Sequence, residues 1–412
     1  MGTDISPVQA STQGILDKSA MHWRMILIVA ILARFLFAFI FFDFSRIPPM
    51  EGRGFENVAI ALSIHSGHGF SSPFYTDSGP TAFMTPIYPG FMAAVMLLFG
   101  TGSMAATIIV AVQELFSVGT VLLAMYIGRN LFTERAANMA GLFCALAPPM
   151  LSAPLLTWDA CLSAFTLTAL FAAASSRLLS SMRFVPAGAF CAVGGLLNPT
   201  LIPALWAICG WAAWKARRFP WAGVLSFCVV LSPWLIRNAL VMHAFIPLRP
   251  NFGYELWQGN HPGASGDFNE SMNPMMDSSE RHAFSEKGEI AYFHEKGALA
   301  RQYIAAHPSE FLRLSAKRLW QFWTLSQDGA AASTIPILLL ALVGLVLAAA
   351  RRGLAAATLF ALPLVLYPLP YYITHVYARF EWVIEPLLLI LAGYTMSRFL
   401  EWLRPEVELQ DT

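Results

Sequence analysis

Met25-Ile26-Leu27-Ile28-Val29-Ala30-Ile31-Leu32-Ala33-Arg34-Phe35-Leu36-Phe37-Ala38-Phe39-Ile40-Phe41-Phe42 runs eighteen residues with one charge, and its reading decides the class of fold. A helix needs roughly 17–25 predominantly apolar residues to cross the hydrocarbon core of a bilayer. A polar leader precedes the run, but Phe-rich sequence continues to Asp43 with no small-residue cleavage site. It therefore reads as a retained signal-anchor helix and not as a cleaved leader. Working outward, comparable runs recur near 105–127, 136–151, 157–175, 184–198, 200–214, 220–240, 332–349, 354–373 and 380–400. Composition agrees. Of 412 residues, 57% are hydrophobic and 12% charged, whereas a soluble domain carries roughly a quarter charged. The expectation is an all-α, polytopic transmembrane helix bundle of about ten spans.

Between the first two runs lies a polar stretch, residues 43–85, rich in Gly, Pro, Ser and charge, followed by an apolar piece from Pro86 to Gly100. A second polar segment runs from about 243 to 330. Lys18 and Arg24 precede the first span. Arg129, Arg135, Arg177, Arg183, Lys215, Arg217, Arg218, Arg351, Arg352, Arg398 and Arg404 mark later loops and the end of the chain. The positive-inside rule places these in the cytoplasm, and alternation then puts both long polar segments on the outer side. The bookkeeping holds only if 86–100 does not cross; at about fifteen residues it is short for a span and is expected to lie in the outer interface.

Net charge is +1, which leaves no basic field for nucleic acid. Cys144, Cys161, Cys191, Cys209 and Cys228 all fall in apolar runs without metal-ligand spacing and read as small core residues. Polar groups within spans are more informative, because each costs about 2.5–3.5 kcal/mol on insertion scales. Asp159 stands near the outer start of its span, Arg237 and Asn238 at an outer end, Arg34 and Glu114 inside spans, and Arg379, Glu381 and Glu385 at the entry to the last one. Several lie at the outer leaflet, which suggests a polar cavity opening there; helix-packing glue and snorkelling are the plainer alternative.

The first outer segment carries Pro48-Pro49-Met50-Glu51-Gly52-Arg53-Gly54-Phe55-Glu56-Asn57-Val58-Ala59, then Gly67-His68-Gly69-Phe70-Ser71-Ser72-Pro73-Phe74, Gly79-Pro80-Thr81-Ala82 and Pro86-Ile87-Tyr88-Pro89. Two carboxylates thus flank an arginine ahead of a Gly/Pro-rich loop, and long polar loops of this kind tend to be functional. A carboxylate at a membrane–water boundary can hold a raised pKa and act as a general base. His65 and His68, three apart, could suggest a metal pair, though two histidines alone do not make a site.

This run from Glu51 through Pro89 resembles the first outer loop of the GT-C glycosyltransferases. Within them it resembles the bacterial relatives of dolichyl-phosphate-mannose–protein mannosyltransferases and the aminoarabinose transferases of lipid A. In those families an acid opens the loop, an aromatic follows four positions on and a small residue four after that; Glu51, Phe55 and Ala59 fit the spacing. The resemblance continues in Pro233-Trp234-Leu235-Ile236-Arg237-Asn238, in Asn251 to Pro262 with its Gly259-Asn260-His261-Pro262 turn, in His307-Pro308 with Arg318 and Phe322-Trp323, and in Tyr371 to Pro386. It departs in the acid, which in the relatives is usually aspartate. Glu56 takes the role if the register slips by five residues. It is expected to depart also in having no large soluble domain after the last span.

The resemblance implies an inverting transferase that moves a sugar from a polyprenyl phosphate-linked donor to a lipid, glycan or protein acceptor. It also implies a bacterial-type inner (plasma) membrane with the site on the periplasmic side. Glu51 or Glu56 would be the catalytic acid. Arg53, Tyr88, Asp159, Arg237, Asn238, Asn260, His261 and Arg379 would contact substrate, Arg237 and Arg379 neutralising the departing phosphate. No cofactor is implied with certainty, and since relatives of both kinds exist, participation of a divalent ion stays open here. The chain divides into a tail (1–24), a transferase core (25–240, with outer loop 43–104), an outer-face loop with helices (241–331) and C-terminal spans with a short tail (332–412). Two rivals stand beside the transferase. One is a transporter or flippase of a lipid-linked substrate, which should show internal repeats that the chain lacks. The other is a surface-polysaccharide ligase or polymerase, which would share the donor.

Overall fold

The computed structural model describes residues 7–42, 56–176, 178–181, 184–324 and 331–403. Glu51 and Arg53 lie outside the described residues. The regular elements among them are helices, with only two isolated bridges, Ser71–Pro80 and Asp267–Val376, in place of strands. The all-α bundle expected from the apolar runs is the fold observed.

Each of the ten expected spans coincides with a helix. Trp23–Phe41, Ser103–Leu131, Trp221–Met242, Thr334–Arg352 and Leu354–Ile373 are long and apolar enough to cross a membrane. A sixth candidate is the pair Glu134–Leu146 and Pro148–Leu155, bent by 55°. At the other four places the helices are Ala160–Ser175, Val185–Leu197, Leu201–Ala216 and Glu385–Trp402, of 13 to 18 residues. The piece at 86–100 forms a 13-residue helix, Ile87–Phe99, packed on Glu56–His65 and Ser103–Leu131.

The bend has a covalent cause. A helix carbonyl is normally met by the N–H four residues on, but for Cys144 and Ala145 those positions are Pro148 and Pro149, which have none. The Arg34 guanidinium replaces them, donating to Cys144 O and Ala145 O at 3.2 Å each. It also donates to Ser117 Oγ at 2.8 Å, with Glu114 3.7 Å away. The Arg34 charge that the sequence places inside a span is thus accounted for by a broken helix, with Glu114 as its nearby counter-charge.

Glu385–Trp402 is the central helix. It packs on Glu134–Leu146, Ala331–Arg352 and Ser103–Leu131. Small residues set the approach: a Cβ on Gly393 would lie 2.6 Å from Ala140 N, and one on Gly344 2.3 Å from Leu391 O. Lipid tails are as apolar as leucine, so helices in a membrane associate through this close packing and not through a hydrophobic drive.

The two polar segments fold into one unit at one end of the bundle. Ile60, Phe74, Phe83 and Met84 from the first pack with Tyr254, Met275, Phe284, Tyr292 and Phe293 from the second. Glu289, buried, clasps them: its carboxyl accepts from the Ala82 N–H at 2.8 Å and is hydrogen-bonded to the Thr81 hydroxyl. The basic loops gather at the opposite end, where Arg135 meets Glu401 at 3.9 Å and Arg352 reaches Phe132 O at 2.5 Å.

Candidate active site

A cavity of 470 Å³ lies where this polar unit meets the ends of the bundle helices. Seven stretches far apart in sequence supply its walls: Glu56 and Asn57, Phe83 to Tyr88, Trp158 to Ala160, Leu197 to Thr200, Pro247 to Glu255, Phe268 to Met276, and Tyr367 to Val383. The wall is mostly apolar and aromatic, with a few charged groups at fixed places, the usual constitution of a small-molecule site.

Glu56 is the first residue of the helix Glu56–His65 and is buried, although carboxylates seldom are without a partner. Asn273 Nδ2 is 3.5 Å from its Oε1. Burial raises its pKa above the ordinary carboxylate value, offset by the Asn273 amide and by the charges of Arg379 and Arg249. Across the cavity, Asn251 Nδ2 donates to Glu255 Oε1 at 2.6 Å, and the Arg249 guanidinium is 3.7 Å from the same oxygen. Burial pushes Glu255 up to about 7 against the pull of Arg249, and the charge of Glu56 adds to the rise. His375 Nδ1 lies 3.6 Å from Glu255. Burial, with Arg379 and Arg318, depresses that imidazole to about 3, so it is neutral there.

The two cavity arginines are held by rings. The Arg379 guanidinium carbon lies 4.2 Å from the centroids of both Trp158 and Tyr377 and 5.2 Å from Phe380. Arg249 sits over Phe83 at 5.3 Å and donates Nε to Phe83 O. Arg379 has no carboxylate within ion-pair distance among the described residues. A planar guanidinium packed this way is pre-organised to meet phosphate.

Asp159 also lines the cavity, its Oδ2 accepting from Ser163 Oγ and Asn198 Nδ2 at 2.8 Å each. From Asn198 a hydrogen-bonded chain continues through Thr200 to Tyr371 and Tyr367. Tyr88 faces the cavity, but its hydroxyl is already engaged with Gln113 at 3.0 Å.

Of the residues expected from sequence, the structure brings Glu56, Tyr88, Asp159 and Arg379 together. Arg237, Asn238, Asn260 and His261 lie outside the cavity wall. Arg237 packs against the rings of Phe70 and Trp234 and donates to Thr81 O at 2.7 Å and Phe70 O at 2.9 Å, which secures the first outer loop. Asn238 bridges Arg237 and Ile246 O. Asn260 donates to Leu256 O and Ile373 O at 2.8 Å and accepts from the buried Arg318, so the turn is tied to the 372–373 backbone. His261 contacts Pro262 O and the Trp257 ring. Arg249, Asn251, Glu255, Asn273 and His375 are cavity residues that the sequence reading did not single out. Among the described residues no group of three or more His, Cys, Asp or Glu side chains is placed to hold a metal ion.

No protein-family model and no curated protein matches the sequence. Solved structures do match in shape. An oligosaccharyltransferase of Archaeoglobus fulgidus, in a complex with zinc and sulfate, superposes with a TM-score of 0.50 at 12% identity over 91% of this chain. The archaeal oligosaccharyltransferase AglB of the same organism, with an inhibitory peptide and a dolichol-phosphate, gives 0.52 at 13% over 92%. The chain has a GT-C fold. It spans about half the length of those archaeal proteins, 49% and 50% of each. ArnT from Cupriavidus metallidurans, bound to undecaprenyl phosphate, matches at 17% identity with a TM-score of 0.43, covering 91% of this chain and 78% of that one. The cavity sits between the polar unit and the helix ends, so its walls come from separate stretches spread between Glu56 and Val383.

Proposed function

We propose that the chain transfers a sugar from a polyprenyl phosphate-linked donor to a hydroxyl of a lipid, glycan or protein acceptor at the outer face of the membrane. One observation carries this reading: a buried carboxyl, Glu56, faces a cavity in which Arg249 and Arg379 present guanidinium groups. The shared fold with AglB, solved with a dolichol-phosphate, supports the donor class.

In the proposed reaction Glu56 takes the proton of the acceptor hydroxyl as its oxygen attacks the anomeric carbon. The new bond forms on the face opposite the leaving group, so the sugar inverts. The anomeric C–O bond breaks with its electron pair going to the lipid phosphate, and Arg379 and Arg249 neutralise the charge that develops. Asp159, oriented by Ser163 and Asn198, is placed to accept hydrogen bonds from sugar hydroxyls. The raised pKa of Glu56 makes it a stronger base once ionised, so turnover should climb with pH through that raised value.

The test is transfer of radiolabelled sugar from a panel of polyprenyl phosphate donors by purified protein in lipid, comparing wild type with Glu56→Gln and Glu51→Gln. Loss of a general base costs about 10²–10⁴ in rate. That loss in Glu56→Gln, with donor binding kept, supports the assignment. A similar loss confined to Glu51→Gln moves the role to the earlier acid. No transfer by folded wild type across donors and acceptors would turn attention to flux assays for a lipid-linked substrate.

A further inference from the structure

At the opposite end of the bundle a second cavity, of 790 Å³, opens between the helices Leu201–Ala216 and Trp221–Met242. Only residues 217–220 separate these helices in the chain, yet each packs on Val185–Leu197 and they diverge from one another. Close contact of Gly188 with Gly223 holds Trp221–Met242 against that neighbour. The space left between them is floored by Trp206, which meets Phe227 edge to face at 5.5 Å, and walled by Trp214, Phe219, Pro220 and Val224.

Lys215, Arg217 and Arg218 ring its mouth, and none has an ion-pair partner among the described residues. The sequence explains why: between Asp159 and Glu255 there is no Asp or Glu at all. Basic loop residues alone follow from membrane orientation and would require nothing more. Here they surround an aromatic recess whose Trp214 and Phe219 are 65% and 64% exposed. Trp214 carries the Lys215 ammonium 5.9 Å over its ring. Arg217 occupies the left-handed region (φ 51°), where it closes the helix by donating its N–H to Trp214 O, at a position where glycine is the usual residue.

We propose that this groove binds an anionic phospholipid, with the headgroup phosphate held by Lys215, Arg217 and Arg218 and an acyl chain lying against Trp206, Trp214 and Phe219. Charge complementarity selects the headgroup, and the apolar floor opening to the helix surfaces selects a lipid over a soluble anion. Basic pockets between transmembrane helices are the general setting for such binding.

The test uses full-length protein in nanodiscs, with native mass spectrometry counting retained phosphatidylglycerol against phosphatidylcholine. The comparison is wild type, the double variant Arg217→Gln/Arg218→Gln, and the charge-matched double variant Arg351→Gln/Arg352→Gln on another loop of the same face. Basic residues near a membrane surface contribute about 1 kcal/mol each, so removing two should weaken phosphatidylglycerol retention about thirtyfold. The loop variant should retain it as wild type does. Phe219→Ala, which keeps every charge, should also lower retention. Equal losses in both double variants would show a diffuse field and overturn the proposal. So would equal retention of the two lipids by wild type, or displacement of phosphatidylglycerol by inorganic phosphate.

Discussion

The Glu289 clasp makes the closure of the outer unit depend on pH, in a direction that the geometry dictates. The carboxyl is buried and pushed up to about 7 from the ordinary 4.5. The cause is burial, opposed by the bonds from Thr81 and the Ala82 N–H and by the charges of Arg237 and Arg249. When the clasp opens, Glu289 returns to water and its ordinary pKa. Below pH 4.5 the group is protonated whether the clasp is open or shut, and closure has its full stability. Between 4.5 and 7 the open form ionises first, and closure weakens by about 1.36 kcal/mol per pH step. Above 7 both forms are ionised and the loss levels off. A rise of about 2.5 corresponds to about 3 kcal/mol, or a few hundredfold in the opening equilibrium. The Ala82 amide is bonded directly to Glu289, so hydrogen exchange at that amide reports the opening. Corrected for intrinsic exchange, wild-type protection should fall between pH 5 and 7.5. Glu289→Gln should be level, because glutamine reproduces the protonated acid, with one oxygen for Ala82 N–H and one donor for Thr81. Level protection in wild type, or a parallel fall in the variant, would refute the argument.

Three further substitutions probe other parts of the structure. Gly259→Ala puts a Cβ 1.6 Å from Thr374 O; the turn must move away from the 372–374 backbone, at a cost of about 1–3 kcal/mol, seen as a lower melting temperature. Arg379→Lys keeps the charge but loses the planar contact with Trp158 and Tyr377; donor affinity should fall about tenfold or more in a donor-binding titration with the melting temperature unchanged. Arg34→Met strips the donors from Cys144 O and Ala145 O and leaves Glu114 alone; breaking a buried ion pair costs about 3–5 kcal/mol, so folded yield in detergent should drop sharply, and Glu114→Gln in the same chain should restore part of it.

Where the fold was legible, one kind of information sufficed. Apolar runs bounded by Arg and Lys specify helices and their order without reference to anything distant, and all ten runs are helices. What those runs do not encode is the tertiary use of a charge inside them. Arg34 reads from sequence as a polar group awaiting a function. Its role depends on Pro148 and Pro149, over a hundred residues away, having removed the donors its guanidinium replaces. The packing of the two polar segments on each other was equally hidden, since each reads alone as a Gly/Pro-rich loop with short amphipathic pieces.

The cavity arginines show the same limit at the site itself. Arg237 and Arg249 stand twelve residues apart at the entry to the second polar segment, and local pattern favours Arg237, which follows Pro-Trp-Leu-Ile at a helix end. Its fate is settled by carbonyls at Phe70 and Thr81, more than 150 residues earlier, which take its donors, and by the rings of Phe70 and Trp234, against which it packs. Arg249 reaches one carbonyl and a carboxylate 3.7 Å away, so the rest of its fork is left to face the cavity. An arginine with its N–H groups already spent on backbone cannot also neutralise a leaving phosphate without losing the loop it holds. The count of unspent donors, not the motif around the residue, therefore favours Arg249 over Arg237, and that count exists only once the first loop has folded against the second.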